Sequence, residues 1–294
     1  MRALRSLLVA VSLGTAAACT ARRDSREPAT LLFLTDFGVR DGAVAVCKGV
    51  MLGIEPRLRI VDLTHQVPPY DVETAAEVIE QALPFYPPGT VTVAVVDPGV
   101  GSERKSIAIL TKRGHLLVGP DNGIFTLALE SEGLDRAVEL RDQRFHRAGE
   151  TSFTFHGRDV FSPVGAHLAQ GLSIDSLGPP VVPRRLALRR ARQGGGRIAG
   201  SVRYIEDPYG NVVTNIPRAL LDSLGAHVGD SLDVGIGARA LRLPWRPTFS
   251  AVENGKPLAV MHERGLLSFS INQGDFATRY AVKRDDAVTV RRSP

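Results

Sequence analysis

Short apolar runs that end in polar turn residues recur through the first half of the chain. Leu31–Leu34 closes in Thr35-Asp36-Phe37-Gly38, the pattern of a buried strand whose carboxyl end opens into a loop. The pattern then predicts a helix over Ala43–Ile54, a strand over Leu58–Leu63, a helix over Val72–Leu83 and a strand over Thr90–Val96. Strand and helix alternate, which predicts a largely parallel sheet. Asp97-Pro98-Gly99-Val100-Gly101 follows the third strand directly, and Leu116–Val118 leads into Gly119-Pro120-Asp121-Asn122-Gly123. Three polar loops therefore gather along one sheet edge, the place where open α/β sheets receive ligands. Phe155-His156-Gly157-Arg158-Asp159 precedes a helical stretch over Val160–Gln170.

The pattern changes after Pro179, where the chain becomes rich in Pro and Arg. Beyond it, Ile198–Ile205, Asn211–Asn215, Ser231–Val234, Leu258–Met261, Leu266–Ile271 and Ala287–Val290 are short strand-like runs separated by turn residues, as in a small barrel or sandwich. The expected organisation is an N-terminal α/β domain over 31–182, a linker over 183–197 and a C-terminal all-β domain over 198–294.

Composition narrows the function classes. A chain of 294 residues with 44% hydrophobic and 23% charged residues has ordinary globular usage and enough length for two domains. The formal charge of +5 is too small to argue for nucleic acid, and the densest basic run, Arg184–Arg197, dissolves into Gly194-Gly195-Gly196 like a solvated linker. Residues 1–19 carry Arg2 and Arg5, an apolar run over Leu7–Leu13 and then Ala16-Ala17-Ala18-Cys19. This reads as an export signal, with Cys19 placed as in a bacterial lipoprotein box and 20–30 as a tether, so the expected location is the cell envelope. An ordinary secretory signal cut nearby is the alternative, and a lipid anchor would be the only membrane contact. After processing only Cys47 remains, which excludes an intramolecular disulfide or a cysteine metal cluster.

Thr35-Asp36-Phe37-Gly38, Lys48-Gly49, Asp62-Leu63-Thr64-His65, Asp97-Pro98-Gly99-Val100-Gly101, Gly119-Pro120-Asp121-Asn122-Gly123 and Phe155-His156-Gly157-Arg158-Asp159 occur in one order. That order resembles the S-adenosylmethionine hydroxide adenosyltransferases, relatives of the fluorinases and chlorinases. The likeness continues through Glu206-Asp207-Pro208-Tyr209-Gly210-Asn211 and Thr214-Asn215-Ile216, so it spans about residues 31 to 290. The resemblance implies an α/β domain with a seven-stranded sheet, a C-terminal β-barrel and a homotrimer with active sites at subunit interfaces. It implies hydrolysis of S-adenosyl-L-methionine to adenosine and L-methionine, with no cofactor and no metal.

A sulfonium is an excellent leaving group that needs no acid, so such a site has to supply a nucleophile and hold it in line. The resemblance assigns this to Asp97, Arg104 and His156: a guanidinium favours hydroxide by charge, and Asp97 or His156 can accept a proton. It places Asp36 on the ribose hydroxyls and Tyr70 near the sugar, and adds Asn122 as a substrate contact. Tyr209 and Asn211 fall around adenine, Glu206 or Asp207 near the methionine ammonium, and Phe249 stacks on adenine from the barrel side. His65 has no such support and reads as structural. Halogenating relatives carry Tyr at the position of Asp97 and Ser at that of Gly157, and a carboxylate facing a bare halide is repulsive, which favours hydrolysis. The chain departs from the family pattern at His262-Glu263-Arg264-Gly265.

Three other readings stay open. One is a chlorinase-type halogenase. Another is an exported lipoprotein that binds adenosine without turnover. The third is a metal-dependent phosphoesterase with Asp36, Asp97, Asp121 and His156 as ligands.

Overall fold

The computed structural model describes residues 29–293. They form two compact units. One comprises the chain up to Tyr70 with Ile79–Asp121 and Ala128–Val182; the other comprises Asp71–Val78, Asn122–Leu127 and the chain from Pro183 onward.

The first unit is built on β1 (Thr30–Thr35), α1 (Ala43–Ile54), β2 (Arg59–Thr64), α2 (Val72–Ala82), β3 (Val91–Val95), β4 (Ser106–Thr111), β5 (Leu116–Pro120), α3 (Thr126–Glu132), β6 (Leu134–Glu139) and α4 (Ser162–Ala169), with the early turns of α2 and α3 counted in the second unit. The sheet order is β2-β1-β3-β5-β4-β6. Strands β2, β1, β3 and β5 run parallel, while β4 runs antiparallel to both β5 and β6. The resemblance implied seven strands. The described residues give six, and Pro180 adds only a single antiparallel bridge to Val138 beside β6. A proline has no N–H to continue a ladder, so the bridge does not extend into a strand.

All five residues of β3 are buried, as expected of a parallel strand covered on both faces. Leu31, Phe33, Val91, Val93 and Val95 share one core with Cys47 and Met51 of α1 and with Val164 and Leu168 around α4. Each fully buried side chain of this size contributes about 1.5–3 kcal/mol. A Cβ on Gly165 would lie 2.3 Å from Val93 Cγ2, so only glycine lets α4 approach β3 this closely. Cys47 is a buried free thiol, pushed up to about 11 by its burial, which makes it an inert core residue.

The second unit contains β7 (Arg192–Gly194), β8 (Arg197–Glu206), β9 (Asn211–Pro217), α5 (Arg218–Ser223), β10 (Ser231–Ile236), β11 (Arg239–Pro244), β12 (Pro257–Met261), β13 (Leu266–Ile271), α6 (Phe276–Tyr280) and β14 (Ala287–Arg292). The order β11-β10-β14-β8-β9-β13-β12 is antiparallel throughout, and a Trp245–Ala259 bridge links its two ends into a nearly closed barrel. Trp245, Phe269, Phe276 and Leu267 fill the interior. The fold is thus an α/β domain with a mostly parallel sheet and an all-β barrel. No helix among the described residues is long and apolar enough to cross a membrane.

Candidate active site

Strand register explains why distant residues meet. Thr35 pairs with Val95 across β1 and β3, so Asp36 and Asp97 leave adjacent parallel strands at the same carboxyl edge. Ser106 opposes Pro120 because β4 is reversed, which brings the start of β4 and the preceding Arg104 to that edge as well. Gly101, with φ +78°, turns the loop between β3 and β4; a Cβ there would lie 2.6 Å from the carbonyl oxygen of Phe153. Close backbone approach at this one residue seats the His156 segment against the Asp97–Arg104 loop.

Arg104 is the centre of the cluster. Its Nε donates to Asp97 Oδ1 at 2.9 Å and its Nη2 donates to Asp97 Oδ2, a two-pronged pair. Nη2 also donates to His156 Nδ1 at 2.8 Å, and Nη1 donates to Ser106 Oγ at 2.7 Å and to the Lys105 carbonyl at 3.1 Å. The Asp97 and Arg104 side chains are only 5% and 6% exposed. The guanidinium carbon lies 5.2 Å from the centroid of the Phe161 ring, a cation–π contact that holds the fork in place.

A guanidinium has no acceptor, so His156 Nδ1 must carry a lone pair and its proton sits on Nε2. Burial, and next the Arg104 charge, push the His156 imidazole below its ordinary value. The cluster is therefore one carboxylate, one guanidinium and one neutral imidazole, with no net charge. His156 is a hydrogen-bond donor at Nε2. The only lone pair it has is committed to Arg104, which leaves Asp97 as the proton acceptor of the three.

His156 is held by a device that the motif alone did not reveal. Asp159 is fully buried and accepts from Arg158 Nε at 2.6 Å and Nη2 at 2.8 Å, from Arg147 Nε, and from the Ser152 N–H at 2.8 Å. Burial raises its carboxyl, but the Arg158, Arg147 and Ser152 hydrogen bonds outweigh this and hold it well below the usual carboxylate range. Gly157–Phe161 forms a wide turn in which Ser162 N–H bonds back five residues to Gly157; such turns cluster at functional sites.

Other expected residues distribute as follows. Asp36 Oδ2 accepts from the Tyr70 N–H at 3.0 Å, so these two are together, with Tyr70 72% exposed. Phe37 and Phe155 meet edge to face at 5.8 Å. Asn122 Oδ1 accepts from the Ile124 N–H at 3.2 Å, which braces its own turn. His65 is buried against Thr35, Asp62 and Phe33 and is structural. In the barrel, Glu206, Tyr209, Asn211 and Phe249 all line one open cavity of about 910 Å³, but Asp207 is exposed and not among the lining residues. β8 ends at Glu206, and Asp207 lies in the exposed turn that leads to β9. His262, which the sequence reading did not assign, also lines the cavity and bonds Glu206 at 3.1 Å. Among the described residues no group of three or more His, Cys, Asp or Glu is arranged to hold a metal ion, and the phosphoesterase reading needs one.

A buried, charge-balanced Asp–Arg–His cluster on the ligand edge of an α/β sheet, in a chain that also carries a polar and aromatic barrel cavity, defines a protein of small-molecule chemistry. Comparison with known proteins gives the family. The SAM hydroxide adenosyltransferase N-terminal domain matches residues 31–178 and the corresponding C-terminal domain matches 200–289. The chain belongs to the SAM hydroxide adenosyltransferase family. It is 39% identical over 267 residues to an (R)-S-adenosyl-L-methionine hydrolase of Thermus thermophilus, covering 88% of this chain and 97% of the relative. A fluorinase of an Actinoplanes species is 30% identical over 291 residues, covering 90% and 97%. A solved structure of a conserved protein from Thermotoga maritima superposes with a TM-score of 0.85 at 35% identity, covering 89% of this chain and all of that one.

Proposed function

We propose that this protein hydrolyses (R)-S-adenosyl-L-methionine to adenosine and L-methionine, with Asp97, Arg104 and His156 handling the water. The observation that carries the reading is the Arg104 guanidinium bonded at once to Asp97 and His156. Water attacks the ribose 5′ carbon opposite sulfur, the carbon–sulfur bond breaks with its electrons going to sulfur, and the sulfonium becomes the neutral thioether of methionine. Nε2–H of His156 orients the incoming oxygen and the Asp97 carboxylate takes its proton, which then passes to solvent. Asp36 accepts from the ribose hydroxyls, with Tyr70 beside the sugar, and in the proposed homotrimer the adenine contacts Asn211, Tyr209 and Phe249 come from a neighbouring subunit's barrel.

Hydrolysis fits the cluster better than halogenation. Its net charge is zero and its carboxylate faces the nucleophile position, so it offers a halide no net attraction. Adenosine release is expected to be independent of chloride, with no 5′-chloroadenosine by mass spectrometry, and unchanged by chelation. Asp97→Ala and His156→Ala are each expected to abolish adenosine release, read by chromatography, while adenosine still binds by calorimetry. Tight adenosine binding by the native chain without turnover would instead support a nucleoside-binding role.

The pH dependence follows from His156. Its folded value lies below the ordinary 6.5, so the neutral form that accepts from Arg104 is intact above that value. As pH falls through the folded value, the ring gains a proton beside Arg104, and both activity and this contribution to stability are lost. An acid limb with its midpoint below 6.5 is expected in kcat/KM, which reports the free enzyme. A midpoint above 6.5 would contradict the assigned tautomer.

The assembly and location belong to the same proposal: a homotrimer, exported to the cell envelope and anchored through a lipid on Cys19. The support is the family resemblance and the charged-then-apolar start of the sequence; Cys19, the signal and most of the tether lie outside the described residues. Sedimentation of the mature chain and loss of lipid labelling in Cys19→Ser test these points.

A further inference from the structure

The barrel cavity has a charge pattern that the hydrolase reading does not use. Three carboxylates line it, Glu206, Glu263 and Asp275, and no Lys or Arg does. Two of the three are already satisfied. Glu206 accepts from Asn211 Nδ2 at 3.0 Å and from His262 at 3.1 Å, and Asp275 accepts from the Thr278 N–H at 2.7 Å and the Thr278 hydroxyl at 2.6 Å. The Arg264 N–H donates to His262 Nδ1 at 3.2 Å, so the His262 proton is on Nε2, the ring is neutral, and it does not cancel the charge of Glu206. Arg264 itself is not among the lining residues, and the Glu77 carboxylate is one of the charges that act on it. Glu263 is exposed in the cavity and makes no hydrogen bond or ion pair among the described residues.

We propose that Glu263 makes this cavity select an adenosyl sulfonium whose tail ends in an amine and lacks a carboxylate. The inference rests on the hydrolase reading and names its preferred substrate class. An α-amino-acid tail brings a carboxylate into a cavity that holds three negative charges and no guanidinium or ammonium. A tail bearing only an ammonium brings the opposite charge, and Glu263 is the one lining carboxylate with both oxygens available to it. The reaction is otherwise the same: water oxygen bonds the 5′ carbon, the carbon–sulfur pair goes to sulfur, and the products are adenosine, a thioether amine and a proton. Because Glu263 is solvent-exposed, screening limits the discrimination to about three- to tenfold.

The test compares S-adenosyl-L-methionine with its decarboxylated, aminopropyl counterpart on the purified chain, by adenosine release and by calorimetric binding at low and high salt. The expected result is a KM and Kd about three- to tenfold lower for the aminopropyl sulfonium, with the gap shrinking at high salt. Glu263→Gln should narrow the gap through KM and leave the ratio of the two kcat values where it was; Glu263→Ser replaces it if the first variant does not fold. Equal constants in the native chain, or an unaltered gap in the variant, overturn the proposal. If neither compound is turned over, hydrolysis fails while the ratio of Kd values still decides the role of Glu263. Failure of both to bind overturns the two readings together.

Discussion

Exchange of Arg104 for methionine is expected to abolish adenosine release and to destabilise the fold by about 3–5 kcal/mol, because it strands a buried carboxylate. Asp97 is 5% exposed and both of its oxygens accept from this one guanidinium. The same change removes the donor that fixes the His156 proton on Nε2, so the ring would be free to turn or to protonate. Arg104→Lys is expected to recover part of the stability and little of the activity: one ammonium cannot supply two parallel bonds to Asp97 and reach His156, Ser106 and Lys105 as well. Urea denaturation with a chromatographic adenosine assay checks both halves. A fully active Arg104→Met would remove the basis of the proposed chemistry, whatever its stability.

The second large effect is expected at Asp159, which touches none of the proposed reacting groups. Asp159→Asn keeps the size but removes the charge that collects Arg158, Arg147 and the Ser152 N–H. A loss of about 2–4 kcal/mol is expected, since the carboxylate is fully buried and its arginine partners would face an amide that also has to donate. Activity should fall by at least about tenfold through displacement of His156, three residues away on the same wide turn. As a positioning residue, Asp159 should leave a distinct mark: the variant shifts the acid limb set by His156, which a uniform loss of stability would not. Its carboxyl is held low in the folded state, so the stabilisation is complete above the ordinary value of 3.8 and is lost as pH falls toward the folded value. The Asn variant should therefore lack that acid-side decline.

Local pattern made much of the α/β core legible. α1 occupies the predicted Ala43–Ile54, and β1, β2 and β3 fall within a residue or so of their apolar runs. Alternation of strand and helix was a good guide only while it lasted. Between Gly101 and Leu116 there is no helix, and Gly114 with φ +88° closes a tight turn, so β4 returns antiparallel; a rule built on crossover helices has nothing to say there. β11 escaped notice because Arg239 and Arg242 interrupt its apolar residues with outward-facing charge. At the candidate site, Asp97, Arg104 and His156 were named by the family resemblance. Which of them accepts a proton was not readable, because that depends on where a hydrogen lies between residues separated by 52 positions. Asp159 stood in a quoted motif, yet its role comes from Arg147, twelve residues earlier. For Glu206 and Asp207 both residue types suited an ammonium, and only their places separate them: Glu206 ends β8 on the cavity, while Asp207 lies in the exposed turn that follows.

The wide turn over Gly157–Phe161 carries one residue more than an α turn would need. Removing a single residue there would not merely shorten the loop. It would restore ordinary helical pitch and rotate everything before it by about a hundred degrees about the axis of α4. The imidazole would swing away from the guanidinium while Phe161, anchored in the core, stayed beneath Arg104. Loop length at this point is thus a geometric setting of the proposed chemistry: a one-residue deletion that preserves the fold should silence the enzyme as completely as loss of the histidine itself.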